Sequence, residues 1–146
     1  MRRMIALFLL LSAGTAQALD ISALTHPGVT WQTGKARTAD VTCDGKADTV
    51  LFGTAKNSVW VGILPGDGGK PQTMHFPIAS GKQNGFGAEP KNVTVSPISC
   101  SDPEMGKFPG CKAVKGCQDF TVADEECDSF HFYWDANKRM IRWWRR

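Results

Sequence analysis

Apolar and polar positions alternate in short runs along most of this chain, with a period near two. Residues 49–53 (Thr-Val-Leu-Phe-Gly) and 58–64 (Ser-Val-Trp-Val-Gly-Ile-Leu) flank the polar pair Lys56 and Asn57, which predicts a hairpin. Val59, Val61 and Ile63 fall on one face of the second strand, Trp60 and Leu64 on the other. The run Pro-Gly-Asp-Gly-Gly-Lys-Pro at 65–71 forces a turn. Beyond it Met74, Phe76 and Ile78 alternate with His75 and Pro77, so 49–78 is expected to form a three-stranded meander. Residues 79–91 read as a loop, 92–96 as a strand and 99–117 as irregular chain. Strands are expected again at 119–122, 129–134 and 139–144, the last two joined by a turn at 135–138. The only helical expectation is one short turn near Asp124, Glu125 and Glu126. Seven or eight short strands predict a mainly β fold, a small antiparallel β-sandwich or open barrel.

The first residues break this pattern. Arg2 and Arg3 precede the apolar run 5–11, and Ala16 and Ala18 give an Ala-x-Ala exit, the three parts of a secretion signal. The run is too short to anchor in a bilayer, which takes about 20 residues. The expectation is a cleaved signal at 1–18, then a single domain at 19–146, periplasmic or secreted and bacterial. Cys43, Cys100, Cys111, Cys117 and Cys127 all follow the signal. In an oxidising compartment four should pair and one remain, with connectivity open and the weakly patterned stretch 100–127 stapled by at least one bridge. The alternative use of Cys111, Cys117, Cys127 and His131 as a tetrahedral zinc set is disfavoured, because an exported chain meets oxidants first.

Composition is ordinary for a globular domain, 42 % hydrophobic and 21 % charged. Without Arg2 and Arg3 the mature chain has fifteen basic against fourteen acidic residues, close to neutral. The sharpest motif lies at 40–48. Asp40, Thr42, Asp44 and Asp48 place oxygens at alternating positions, Gly45 allows a sharp turn, and the Lys46 carbonyl falls between, a donor set suited to Ca²⁺. The competing reading is a plain Asp-Gly turn. The loop and the hairpin after it, residues 36–64, resemble the calcium loops of FG-GAP and VCBS repeats, with Asp40, Asp44, Gly45 and Asp48 on matching positions. The resemblance implies a structural calcium ion ordering the first strand. It does not extend to a propeller, which needs about four to eight blades.

The C-terminus is the other distinctive feature. Trp134, Trp143 and Trp144 lie among Lys138, Arg139, Arg142, Arg145 and Arg146, a set suited to an anionic, saccharide or protein partner. The competing reading has one Trp plugging the core while the arginines keep an edge strand soluble. Five cations in one hairpin of a near-neutral chain are a weak footprint for nucleic acid, and no segment after the signal could span a membrane. His26, His75 and His131 are scattered and no nucleophile or metalloprotease motif occurs, so catalysis is not expected. The expected function is that of an exported binding protein using Trp134, Arg139, Arg142, Trp143, Trp144 and Arg145. The alternative is an exported hydrolase inhibitor, which resembles bacterial lysozyme inhibitors in architecture alone.

Overall fold

The computed structural model describes residues 19–146 apart from 80, 82, 83 and 126. The expected signal peptide and Glu126 lie outside the described residues. The strands are β1 (Thr30–Trp31), β2 (Arg37–Ala39), β3 (Asp48–Ala55), β4 (Ser58–Leu64), β5 (Gln72–Pro77), β6 (Asn92–Pro97), β7 (Ser101–Asp102), β8 (Gly106–Lys107), β9 (Gln118–Ala123), β10 (Phe130–Asp135) and β11 (Met140–Trp144). Among the described residues the only helical piece is a 3₁₀ turn at Thr33–Lys35. The helical turn expected near Asp124 does not form at the described positions, because Glu125 takes a positive φ of 69° and Asp124 turns its carboxylate to loop amides.

All named ladders are antiparallel. The first sheet runs β1-β3-β4-β5 with β2 also on β3, the second runs β11-β10-β9-β6, and β7 pairs only with β8. The meander appears as expected, with Val61 opposite Phe52 on one side and Met74 on the other. Each long strand turns one apolar row inward. Val50, Phe52, Val59, Val61, Ile63 and Phe76 of the first sheet meet Val93, Phe120, Val122, Phe130, Phe132 and Ile141 of the second. Phe76 touches Phe130 at 4.5 Å between ring centroids, and Phe120 stacks on Phe132 at 4.7 Å. Burying a side chain of this size contributes about 1.5–3 kcal/mol, so this seam dominates stability. The result is a small β-sandwich.

Both flanks of the sandwich are tied. On one, Gln118 N donates to Asp40 O at 2.8 Å and Cys43 bonds Cys117. On the other, Ile141 N donates to Gln72 Oε1 at 2.8 Å. The second disulfide, Cys100–Cys111, clamps the irregular stretch, and Cys127 is the free cysteine. With Cys111 and Cys117 in separate bridges, the disfavoured zinc set is dismantled. No helix among the described residues is long and apolar enough to cross a membrane.

The outer face of the first sheet is covered by the chain leading into β1. Leu24 and Trp31 lie over Gly62, where a Cβ would meet Leu24 Cδ1 at 2.9 Å and the Trp31 ring at 3.0 Å. Glycine is required there by a close approach.

Candidate functional site

The loop at 40–48 closes on its own amides. Asp48 is fully buried; its Oδ2 accepts from Val41 N at 2.9 Å and Thr42 N at 2.8 Å, and its Oδ1 from Gly66 N at 2.9 Å. Asp40 accepts from Asp44 N and Gly45 N, and Asp44 Oδ1 from Lys46 N at 2.8 Å. Gly45 takes the expected positive φ, 83°. Ca²⁺ needs six to eight oxygens converging on one point. Asp40 and Asp48 instead direct both oxygens at amides, and no cluster of three His, Cys, Asp or Glu able to hold a metal occurs among the described residues. These bonds are those of a turn, and the oxygens of Asp40 and Asp44 keep lone pairs beyond them. Thr42 stands apart: it is 8 % exposed, and its hydroxyl is buried with no hydrogen-bond partner among the described residues.

The Trp/Arg hairpin does not form one surface, because alternation along a strand sends neighbours to opposite faces. Trp143 turns toward the core edge and packs against Phe76 and Phe130, with 36 % of its surface exposed. Arg145 lies over the Phe130 ring and donates to the Gly85 carbonyl. Arg142 faces the opposite way, 3.6 Å from the buried carboxylate of Asp135. Trp134 packs on the core and lines a cavity that also includes Arg139, which belongs to the turn and not to the last strand. Trp144 is on the outer face of the second sheet.

That outer face carries a groove of about 570 Å³. Its floor follows from the ladder register, which sets Trp144 beside His131 and His131 beside Thr121. The Trp144 and His131 rings stack at 4.1 Å. The wall is the disulfide-clamped stretch folded back over the sheet: Phe108 stacks on both Tyr133 and Trp144, and Tyr133 OH donates to Pro109 O at 3.2 Å. Arg146 closes one end by donating to Asp102 Oδ2 at 2.8 Å. This guanidinium holds the Asp102 carboxyl down at about 2. Asp119 is half-buried in the floor, and burial raises its pKa against the opposing effect of the Ser99 amide, which donates to Oδ2 at 3.0 Å. Burial, reinforced by Arg146, lowers the pKa of His131. Asp128 also lines the groove. Arg146 is the one Lys or Arg lining it among the described residues, and it is already paired.

Of the residues expected to bind a partner, the groove takes Trp144 alone. Asp102, Phe108, Asp119, Asp128 and His131 enter through the fold. Alternation puts Asp119, Thr121 and His131 on the polar rows of their strands, but register, which brings those rows together, has no local signal. Comparison with protein-family models, curated proteins and solved structures finds no match.

Proposed function

We propose that this protein is an exported binding protein that takes a saccharide in the groove on the outer face of its second sheet. The observation that carries the reading is the half-buried Asp119 carboxylate, whose Oδ1 has no protein hydrogen bond among the described residues, set on a groove floor beside Thr121 and near His131. That oxygen reaches solvent in the groove, and ligand hydroxyls or an ammonium can take the place of its water. Asp128, His131 and Thr121 supply further hydrogen-bonding positions, and the Phe108–Trp144 wall adds an apolar edge. The volume lies in the usual range of about 300–1,000 Å³ for ligand pockets. Two disulfides suit an oxidising compartment. Because Arg146 is paired with Asp102 while Asp119 and Asp128 are not in ion pairs among the described residues, the groove favours neutral or amino sugars over anionic ones.

The test is calorimetric titration with neutral, amino-substituted and acidic oligosaccharides. Asp119→Ala should weaken binding of neutral and amino sugars by about tenfold, and Arg145→Gln, on the opposite face, should leave it unchanged. Equal loss in both variants, or no binding by any sugar, would sink the proposal.

A second reading, inhibition of a hydrolase, draws on the clamped stretch between Cys100 and Cys111, which holds Met105 51 % exposed. A rigid loop presenting an apolar side chain suits insertion into an enzyme cleft. Undiminished lysozyme activity at excess protein would count against its lysozyme form.

A further inference from the structure

Residues 112–116 (Lys-Ala-Val-Lys-Gly) form an exposed loop between Cys111 and Cys117, each of which is in a disulfide. The first shoulder is Cys111, which is bonded to Cys100 and donates its amide to Phe108 O at 3.2 Å. Just ahead of it, the Gly110 carbonyl accepts from Ala136 N at 2.9 Å and the Pro109 carbonyl from Tyr133 OH. The second shoulder is Cys117, which is buried and bonded to Cys43. Its amide donates to Val114 O at 3.1 Å, and its carbonyl accepts from Ile98 N at 3.2 Å. Between these anchors Lys112 and Ala113 belong to no strand, and their backbone makes no hydrogen bond among the described residues. The Lys112 ammonium takes part in no ion pair among the described residues. Two fixed shoulders thus carry a short exposed segment with unpaired backbone groups and an uncompensated positive charge.

We propose that this loop is a substrate-like inhibitory loop for an endoprotease of trypsin-like specificity, with Lys112 entering the primary pocket of the enzyme. The proposal rests on the hydrolase-inhibitor reading for its class of partner, and it involves neither the groove nor Met105. A protease of this class reads one long cationic side chain against a carboxylate in its pocket and pairs the flanking backbone with its own chain. Lys112 supplies the cation, and the unpaired backbone of residues 112 and 113 supplies the pairing groups. Lys115, the other cation of the loop, is less suited. It sits in the turn closed by Cys117 N and Val114 O, where Gly116 takes a φ of 88°. Rigid shoulders cut the ordering cost of binding. They also oppose turnover. Hydrolysis of the Lys112–Ala113 bond adds one water and gives a Lys112 carboxylate and an Ala113 amine. The two pieces stay joined through Cys43–Cys117, while Cys100–Cys111 holds the new carboxylate end in place. The amine cannot diffuse away, so the same enzyme can re-form the bond and release the water.

The test measures trypsin, chymotrypsin and lysozyme activity against increasing amounts of the oxidised protein. Trypsin should be inhibited with a dissociation constant of about 1 µM or tighter, and chymotrypsin, whose pocket is apolar, should not. Lys112→Ala should weaken trypsin inhibition about a hundredfold or more at an unchanged melting temperature, because the side chain is exposed and unpaired. Lys112→Leu should move inhibition from trypsin to chymotrypsin, and Lys115→Ala should leave trypsin inhibition as it was. Replacing Cys100 and Cys111 by Ala should turn the loop into a substrate, seen on a reducing gel as cleavage after Lys112. Trypsin left fully active, wild-type protein cut rapidly at Lys112–Ala113, or Lys112→Leu inhibiting trypsin as strongly as wild type would each overturn the inference. Inhibition of lysozyme with trypsin untouched would overturn it and leave the broader hydrolase-inhibitor reading standing. Inhibition of no enzyme in the set would overturn it and count against that reading as well.

Discussion

Buried aspartates organise the loops of this protein. Asp48, Asp102, Asp124 and Asp135 are all nearly inaccessible, and each accepts at least two backbone amides. Asp48 matters most at this scale, because its three amide donors come from both the 40–48 loop and the turn after β4. Asp48→Ala should destabilise the protein by at least about 3 kcal/mol, since hydrogen bonds to a charged group contribute about 1.5–3 kcal/mol each. Asp44, exposed and holding one local amide, should lose less than about 1 kcal/mol on Asp44→Ala. The same pair separates the turn from the ion loop. A self-closed turn gives the same melting temperature in calcium and in chelator. A bound ion at a hundredfold excess over its dissociation constant would add about 2.7 kcal/mol, and Asp44→Ala would abolish the difference.

At the scale of elements, the two disulfides differ in reach. Cys43–Cys117 spans a sequence separation of 74 and Cys100–Cys111 one of 11. Chain-entropy arguments give the longer closure about 4.4 kcal/mol and the shorter about 2.8 kcal/mol. Replacing Cys43 and Cys117 by Ala should therefore lower the denaturation midpoint more than replacing Cys100 and Cys111. The second pair should loosen the wall of the groove more than the core, with faster amide exchange at Phe108 as its signature. What could be read locally divides along similar lines. The seven strands of five or more residues show in the sequence, because each lays an alternating apolar row on the core and so writes its own period. The short strands β1, β2, β7 and β8 do not, since two or three residues carry no period and take their geometry from a partner far along the chain. Trp144 and Arg139 stand out as residues, as do Thr42 and Asp44. That Arg139 shares a cavity with Thr42 and Asp44 depends on how one sheet sits on the other, and no local spacing encodes that.

For the molecule as a whole, Asp102, Asp119 and His131 of the groove carry pKa shifts that make stability depend on pH. Asp102 is depressed to about 2 by Arg146, so its contribution is fully present above the unfolded carboxylate value and fades as pH falls from there toward 2. His131 is depressed by burial, so the fold favours neutral imidazole, and stability declines as pH drops through the unfolded value of 6.5. Asp119 is raised by burial, so its effect has the opposite sign: stability is greatest while it is protonated and declines as pH rises through its folded value. Burial works against the Asp119 carboxylate, and the Ser99 amide works for it. Asp119→Asn retains an acceptor for the Ser99 amide and removes the buried charge. It should raise the melting temperature at pH 7, leave it nearly unchanged at pH 3, and weaken saccharide binding. Melts of wild type and variant at the two pH values, with one titration each, check this. A variant that gains stability and still binds fully would remove Asp119 from the ligand's path. Gain with loss of binding would show that the groove keeps an unfavourable charge because a ligand needs it.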